Sequence, residues 1–203
     1  MRSLFFRGDI NFMEKHEKSV KKVDEVIILR ETIVQENLPE PEQEKVEYAF
    51  VKETFFQREF DDPEEILDKI KGKQAQEGRV YVCVKIEWES NTYLVPLRRE
   101  LGSMVNNPKL STGYFPVPSS TKPNAGLDFR KTIIVNDESL YVIADAKIAH
   151  SQKTIMRDNL EEIKTSVINY VVGFKKAVKK NRNKRDLLYK YSALNNFLEE
   201  LKD

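Results

Sequence analysis

In the last third of the chain, apolar residues fall at Leu160, Ile163, Val167, Val171, Phe174 and Val178. That three-and-four spacing lines one face of a helix. Leu187, Tyr191, Leu194, Leu198 and Leu201 repeat the spacing after Asn181-Arg-Asn183 and predict a second helix. Upstream the period shortens to two. In Arg79-Val-Tyr-Val-Cys-Val-Lys-Ile-Glu-Trp88, residues Val80, Val82, Val84, Ile86 and Trp88 share one side of an extended strand. Glu89-Ser-Asn91 supplies a turn, and Thr92-Tyr-Leu-Val-Pro-Leu97 returns as the second arm of a hairpin. Because proline has no N–H to give a ladder, Pro96 predicts that this arm ends there or lies at a sheet edge. Residues 131–135 and 140–143 predict another strand pair, joined across Asn136-Asp-Glu-Ser139. Residues 48–60 are aromatic and β-prone. Asp61-Asp-Pro-Glu-Glu then opens a short helix carrying Ile66, Leu67 and Ile70. Strands followed by helices predict an α+β fold with an antiparallel sheet and a C-terminal helical pair.

Two stretches read as connections. Gln35-Glu-Asn-Leu-Pro-Glu-Pro-Glu-Gln43 is acidic and proline-bearing, as linkers are. It divides the chain into an N-terminal extension, residues 1–47, and a domain, residues 48–203. The apolar run within residues 23–34 fits either a strand or a buried helix. Residues 102–125 hold Gly113, Pro108, Pro116, Pro118 and Pro123, a long loop of the functional kind.

Composition narrows the class. With 203 residues, 40% hydrophobic and 33% charged, the chain suits one ordinary domain plus an extension. It has no apolar run of membrane-spanning length and no secretory pattern near Met1, which predicts a cytoplasmic protein without a membrane partner. A single cysteine, Cys83, rules out an intrachain disulfide framework. Together with His16 and His150 it is too little for a zinc site of the usual kinds. No phosphate-binding glycine loop, dinucleotide fingerprint or helical zinc-peptidase motif occurs, so neither a metal nor a cofactor is expected.

The net charge of +1 conceals a segregation. Residues 31–65 hold twelve carboxylates against Lys45, Lys52 and Arg58, whereas residues 163–191 hold nine cations against Asp186. Two readings are open: solvated faces that attract one another, or a basic end that meets a polyanion.

Among nucleophiles, Cys83 with His150 is formally a pair, but Cys83 lies in mid-strand between valines, where a small packing role is the simpler expectation. His150, at a helix entry, fits a capping or solvent role. The remaining constellation is cationic: Arg79 opens the first hairpin strand, Arg98 and Arg99 end the second, and Arg130 and Lys131 open the next. Gathered together, such groups grip phosphate oxygens and stabilise the charge that builds when a ribose 2′-hydroxyl attacks the adjacent phosphate. Dispersed, they are ordinary solvated charges.

From about Tyr48 onward the chain resembles the endoribonuclease toxins of type III toxin–antitoxin systems, the ToxN/AbiQ and TenpN group, and most of all the TenpN branch. The resemblance rests on residues 79–97 with their Pro-Leu ending, on Ala125-Gly-Leu-Asp-Phe-Arg-Lys-Thr-Ile-Ile-Val135, and on Tyr191-Ser-Ala-Leu-Asn-Asn-Phe-Leu-Glu-Glu-Leu201. It implies a highly twisted antiparallel sheet flanked by helices. It also implies metal-independent RNA cleavage leaving 2′,3′-cyclic phosphate and 5′-hydroxyl ends. The implied partners are cellular RNA substrates and an inhibitory antitoxin repeat RNA, which holds such toxins in a closed protein–RNA assembly. The catalytic positions carried over are Arg79, Arg98, Arg99 and Lys131, with Asp128 in the same Gly-Leu-Asp motif. RNA binding is expected at Tyr114, Lys122, Arg130, Lys175, Lys179, Lys180, Arg182, Lys184 and Arg185. Tyr114 or Phe115 would stack bases, or would only pack the loop.

One departure is plain: Arg99 and Leu101 stand where the family often has a hydroxyl residue and then lysine or histidine. Ser103, Ser111, Thr112 or Tyr114 are then the candidate hydroxyl donors. A catalytically altered RNA-binding or interaction protein of the same fold is the alternative, and a structural helical adaptor a third reading.

Overall fold

The computed structural model describes residues 45–57, 60, 66 and 82–202. Among these, seven strands form one sheet: β1 Tyr48–Val51, β2 Val82–Trp88, β3 Asn91–Arg98, β4 Tyr114–Pro116, β5 Gly126–Asp128, β6 Ile133–Ile134 and β7 Tyr141–Ile143. Their order is β4-β5-β3-β2-β1-β7, with β6 also on β3, and every pairing is antiparallel. Three α-helices accompany them: α1 Glu53–Phe56, α2 His150–Asp158 and α3 Leu160–Lys179. The α+β class with an antiparallel sheet and helices in the C-terminal third is therefore observed. The extension and the acidic segment up to Glu44, Arg79, and nearly all of the helix predicted after Asp61 lie outside the described residues.

The β2–β3 hairpin forms where the period-two pattern places it. Trp88 pairs with Asn91 across the turn, and Glu89 takes a left-handed φ of 53° there. Pro96, however, does not end the strand: β3 runs to Arg98 and is internal. The reason is register. Hydrogen-bonded and non-hydrogen-bonded pairs alternate from Trp88–Asn91, so Cys83–Pro96 is non-hydrogen-bonded and the Pro96 nitrogen faces away from β2. On that side β6 pairs only with Tyr93 and Leu94, and β5 only with Leu97 and Arg98. The missing donor falls in the gap between the two partners.

Residues 131–135 and 140–143 both contribute strands, but not to each other. β6 joins β3, while β7 joins β1 on the far side of the sheet. Asn136 stops a hairpin from closing: its Oδ1 accepts from Thr92 N at 2.9 Å and its Nδ2 donates to Asn91 Oδ1 at 2.8 Å, so the segment continues along β3.

The face of α3 is the predicted one, with Tyr170 and Ala177 added to Leu160, Ile163, Val167, Val171 and Phe174. It enters the core beside Phe129, whose ring lies 6.1 Å from that of Tyr170. Phe197, from the last turns, packs on Phe55 and Phe60. The predicted second helix over residues 187–201 is instead a run of turns with one 3-10 turn at Ala193–Asn196. Polar side chains compete for the backbone there. Asp186 Oδ1 accepts from Leu188 N, Ser192 Oγ from Leu194 N, and Asn195 Nδ2 donates to the Tyr189 and Ser192 carbonyls. The buried Asn183–Asn195 bond of 2.7 Å closes the segment, leaving Leu187 and Tyr191 exposed.

The stretch read as one long loop is likewise built. It contains 3-10 turns at Gly102–Met104 and Pro108–Gly113, then β4. A small cluster of Leu101, Met104 and Leu110 underlies them. Gly126 fills the narrowest point of the β4–β5–β3 junction, where a Cβ would sit 2.5 Å from the Phe115 carbonyl oxygen. No helix of the described residues is long and apolar enough to cross a membrane.

Candidate functional site

A cleft of about 540 Å³ opens at the end of the sheet where β2 begins and β3 finishes. Its lining comes from four directions. Phe50, Val82 and Leu97 form the floor on adjacent strands, Phe50 and Val82 being register partners. Arg98 and Arg99 stand at the end of β3. Ser119, Thr121 and Lys122 come from a tight turn, and Asp145, Lys147, Ile148, Ala149 and Gln152 from the approach to α2 and its first turn.

Each wall is tied down. Ser119 and Lys122 exchange backbone hydrogen bonds of 3.1 and 3.0 Å, and Leu101 N donates to Asn124 O at 3.0 Å. Glu100 accepts from Gly102 N and from Asn124 Nδ2. Buried Gln152 donates from Nε2 to Val117 O at 2.8 Å, fixing the start of α2 against the turn. The first N–H groups of α2 meet no side-chain cap at Ala149, so they add positive potential at this rim.

Among the described residues the cleft therefore carries four cations and one carboxylate, and Asp145 is itself gripped by Lys153 Nζ at 2.6 and 2.8 Å. Arg98 is held from below: its Nη1 donates to Asp128 Oδ2 at 2.9 Å. Asp128 is fully buried, and its other oxygen accepts from Arg130 N at 3.1 Å. Arg99, Lys122 and Lys147 form no ion pair among the described residues. Such an arrangement fits a phosphodiester, with Arg98 held by Asp128 and three further cations beside it.

The structure thus brings Arg98, Arg99 and Lys122 together. Lys131 borders a separate cavity of about 30 Å³, with Cys83, Pro96 and Arg98, on the other face of the sheet. Arg130 is half-buried, its Nε 3.6 Å from Asp128 Oδ1 and its guanidinium against Met104. Tyr114 packs on the Leu101 cluster and Phe115 on the main core, both partly exposed and neither in the cleft. Lys175 is drawn to the hairpin turn, 3.5 Å from Glu89 and over the Trp88 ring. Trp88 lies six residues along β2 from Val82, roughly 20 Å at the rise of a strand. Lys179, Lys180, Arg182, Lys184 and Arg185 are exposed beyond Lys175, outside the cleft.

Of the hydroxyls considered, Ser111 Oγ donates to Pro108 O, and none of Ser103, Ser111, Thr112 or Tyr114 lines the cleft. Ser119 and Thr121 do. Sequence reasoning missed them, along with Phe50, Lys147 and Gln152, because they come from segments far apart in the chain.

Cys83 is 1% exposed, and burial pushes its thiol well above the ordinary range, which removes it as a nucleophile. A thiol reagent such as dithionitrobenzoate is expected to leave the folded protein unlabelled and to release one thiol equivalent after denaturation; rapid labelling of native protein would contradict this burial. Among the described residues, no three His, Cys, Asp or Glu side chains are placed to share a metal ion.

No family model and no curated protein matches the chain. Among solved structures it is similar to one described as "A processed non-coding RNA regulates a bacterial antiviral system", at 16% identity and a TM-score of 0.48. The match covers 75% of this chain and 94% of that one.

Proposed function

We propose that the protein is an RNA-cleaving toxin of the type III toxin–antitoxin kind, working without a metal and restrained by an RNA antitoxin. The observation that carries this reading is the cleft in which Arg98, Arg99, Lys122 and Lys147 surround a volume large enough for a nucleotide. Two of those cations, Arg98 and Arg99, directly follow the Pro96-Leu97 ending of the first of the three segments that resemble this toxin group.

RNA carries its own nucleophile. As the 2′-hydroxyl attacks the adjacent phosphorus its proton passes to water and a P–O bond and a phosphorane form; breaking the P–O5′ bond leaves a 2′,3′-cyclic phosphate, and the 5′-oxygen takes a proton back from water. The protein's part is to hold the phosphate in line and to stabilise the added negative charge. Arg98, held by Asp128, suits the first task, and Arg99 with Lys122 and Lys147 the second. Thr121 supplies a hydroxyl within the same cleft.

The test is to incubate the purified full chain with a long mixed-sequence RNA in excess EDTA. Discrete fragments ending in 2′,3′-cyclic phosphate are expected. RNA that is bound in a salt-sensitive manner yet stays intact would instead establish the binding-only reading.

A further inference from the structure

We infer that Phe50 is a base platform. One unpaired nucleobase of the RNA lies against its ring, over the apolar floor of Val82, Leu97 and Ile148, while Arg99, Lys122 and Lys147 hold the adjoining phosphates. This rests on the RNA reading above and deepens it.

The cleft is divided in the way a nucleotide is divided. Its floor is apolar and its rim cationic, so a flat hydrophobic body and a charged diester fit side by side. Phe50 also differs from the fully buried phenylalanines of the core. Phe55, Phe129, Phe174 and Phe197 are all buried to 1% exposure or less, and each makes an aromatic contact. Phe50 is half-buried, lines the cleft, and has no ring partner among the described residues. An aromatic ring lining a cationic cleft is the feature on which single-stranded RNA-binding surfaces stack bases.

Its mounting is rigid. Phe50 sits in β1, paired with Val82 on one side and Val142 on the other, so its ring is carried by the sheet rather than by a loop. Phe50, like Phe115, packs partly on the main core, but Tyr114 and Phe115, the aromatics suggested by sequence, do not line the cleft.

The experiment compares a 2′-O-methyl RNA oligonucleotide, which lacks the attacking hydroxyl, with an abasic oligomer carrying the same number of phosphates. Both are titrated against the full chain and the variants Phe50→Leu, Phe50→Trp and Arg99→Ala. The native protein is expected to prefer the base-bearing oligomer by about 10- to 100-fold. Phe50→Leu should lose most of that preference and keep its affinity for the abasic oligomer. Phe50→Trp should retain the preference, with its indole emission quenched on binding.

If Phe50→Leu keeps the preference, or if the native protein shows none, while Arg99→Ala still weakens both ligands, the base platform is wrong and the RNA cleft stands. An absence of quenching in Phe50→Trp on saturation would overturn it equally. Unchanged binding in Arg99→Ala would remove the cleft as an RNA site, and the platform with it.

Discussion

Replacing Asp128 by alanine is expected to lower the unfolding free energy by about 3–5 kcal/mol, the cost of removing one partner from a buried ion pair. Both oxygens of this fully buried carboxylate are engaged, one by Arg98 Nη1 and the other by Arg130 N with Arg130 Nε alongside. Alanine would leave the half-buried Arg98 and Arg130 guanidinium groups without their carboxylate and open the turn at Phe129–Lys131, which Asp128 caps. Asparagine keeps an acceptor for the capping N–H while removing the charge, so Asp128→Asn should cost less. Urea unfolding of both variants separates the contributions. A loss below about 1 kcal/mol for the alanine variant would show that Arg98 and Arg130 find water as easily as they find Asp128. Under the ribonuclease reading, cleavage should fall in both variants, because Arg98 loses the carboxylate that holds it.

Arg99→Ala should act the other way round, leaving stability within about 0.5 kcal/mol of the parent protein, as for an ordinary surface position. Arg99 is exposed and pairs with no carboxylate among the described residues, so nothing in the fold depends on it. Under the ribonuclease reading its cleavage rate should nonetheless drop about 10²- to 10³-fold, the usual consequence of deleting one transition-state charge stabiliser. Arg99→Lys keeps the charge without the fork and should fall between. Arg98→Ala should lose both activity and stability, since it leaves part of Asp128 unpaired. The contrast between neighbouring arginines is read by pairing single-turnover cleavage with thermal unfolding. Equal stability losses for the two variants would contradict the division of labour.

What the sequence disclosed depended on how local the signal was. The β2–β3 hairpin and the buried face of α3 follow from unbroken periodicities, and both stand where the pattern puts them. The helix predicted over residues 187–201 has the same apolar spacing. The difference is that Asp186, Ser192, Asn183 and Asn195 spend their hydrogen bonds on nearby backbone and on each other. Pro96 misled in the opposite direction, because its position between two short neighbouring strands cannot be read without their register. In the cleft, Arg98 and Arg99 were visible as paired charges after a strand. Phe50, Thr121, Lys147 and Gln152 were not, since no spacing relates residues that meet only through the strand order.

That strand order also has a bearing on time. β1 lies between β2 and β7, and the cleft draws both on Phe50 and on Gln152. At typical rates of synthesis, about 5–20 s pass between the emergence of one and of the other. In the second half of that interval the nascent chain displays Arg98 and Arg99 but still lacks the wall that faces them. Pairing between strands so distant in sequence is also slow once they are present. Under the ribonuclease reading, a half-made chain is thus held harmless while it is still tethered to a ribosome, the largest RNA target within its reach.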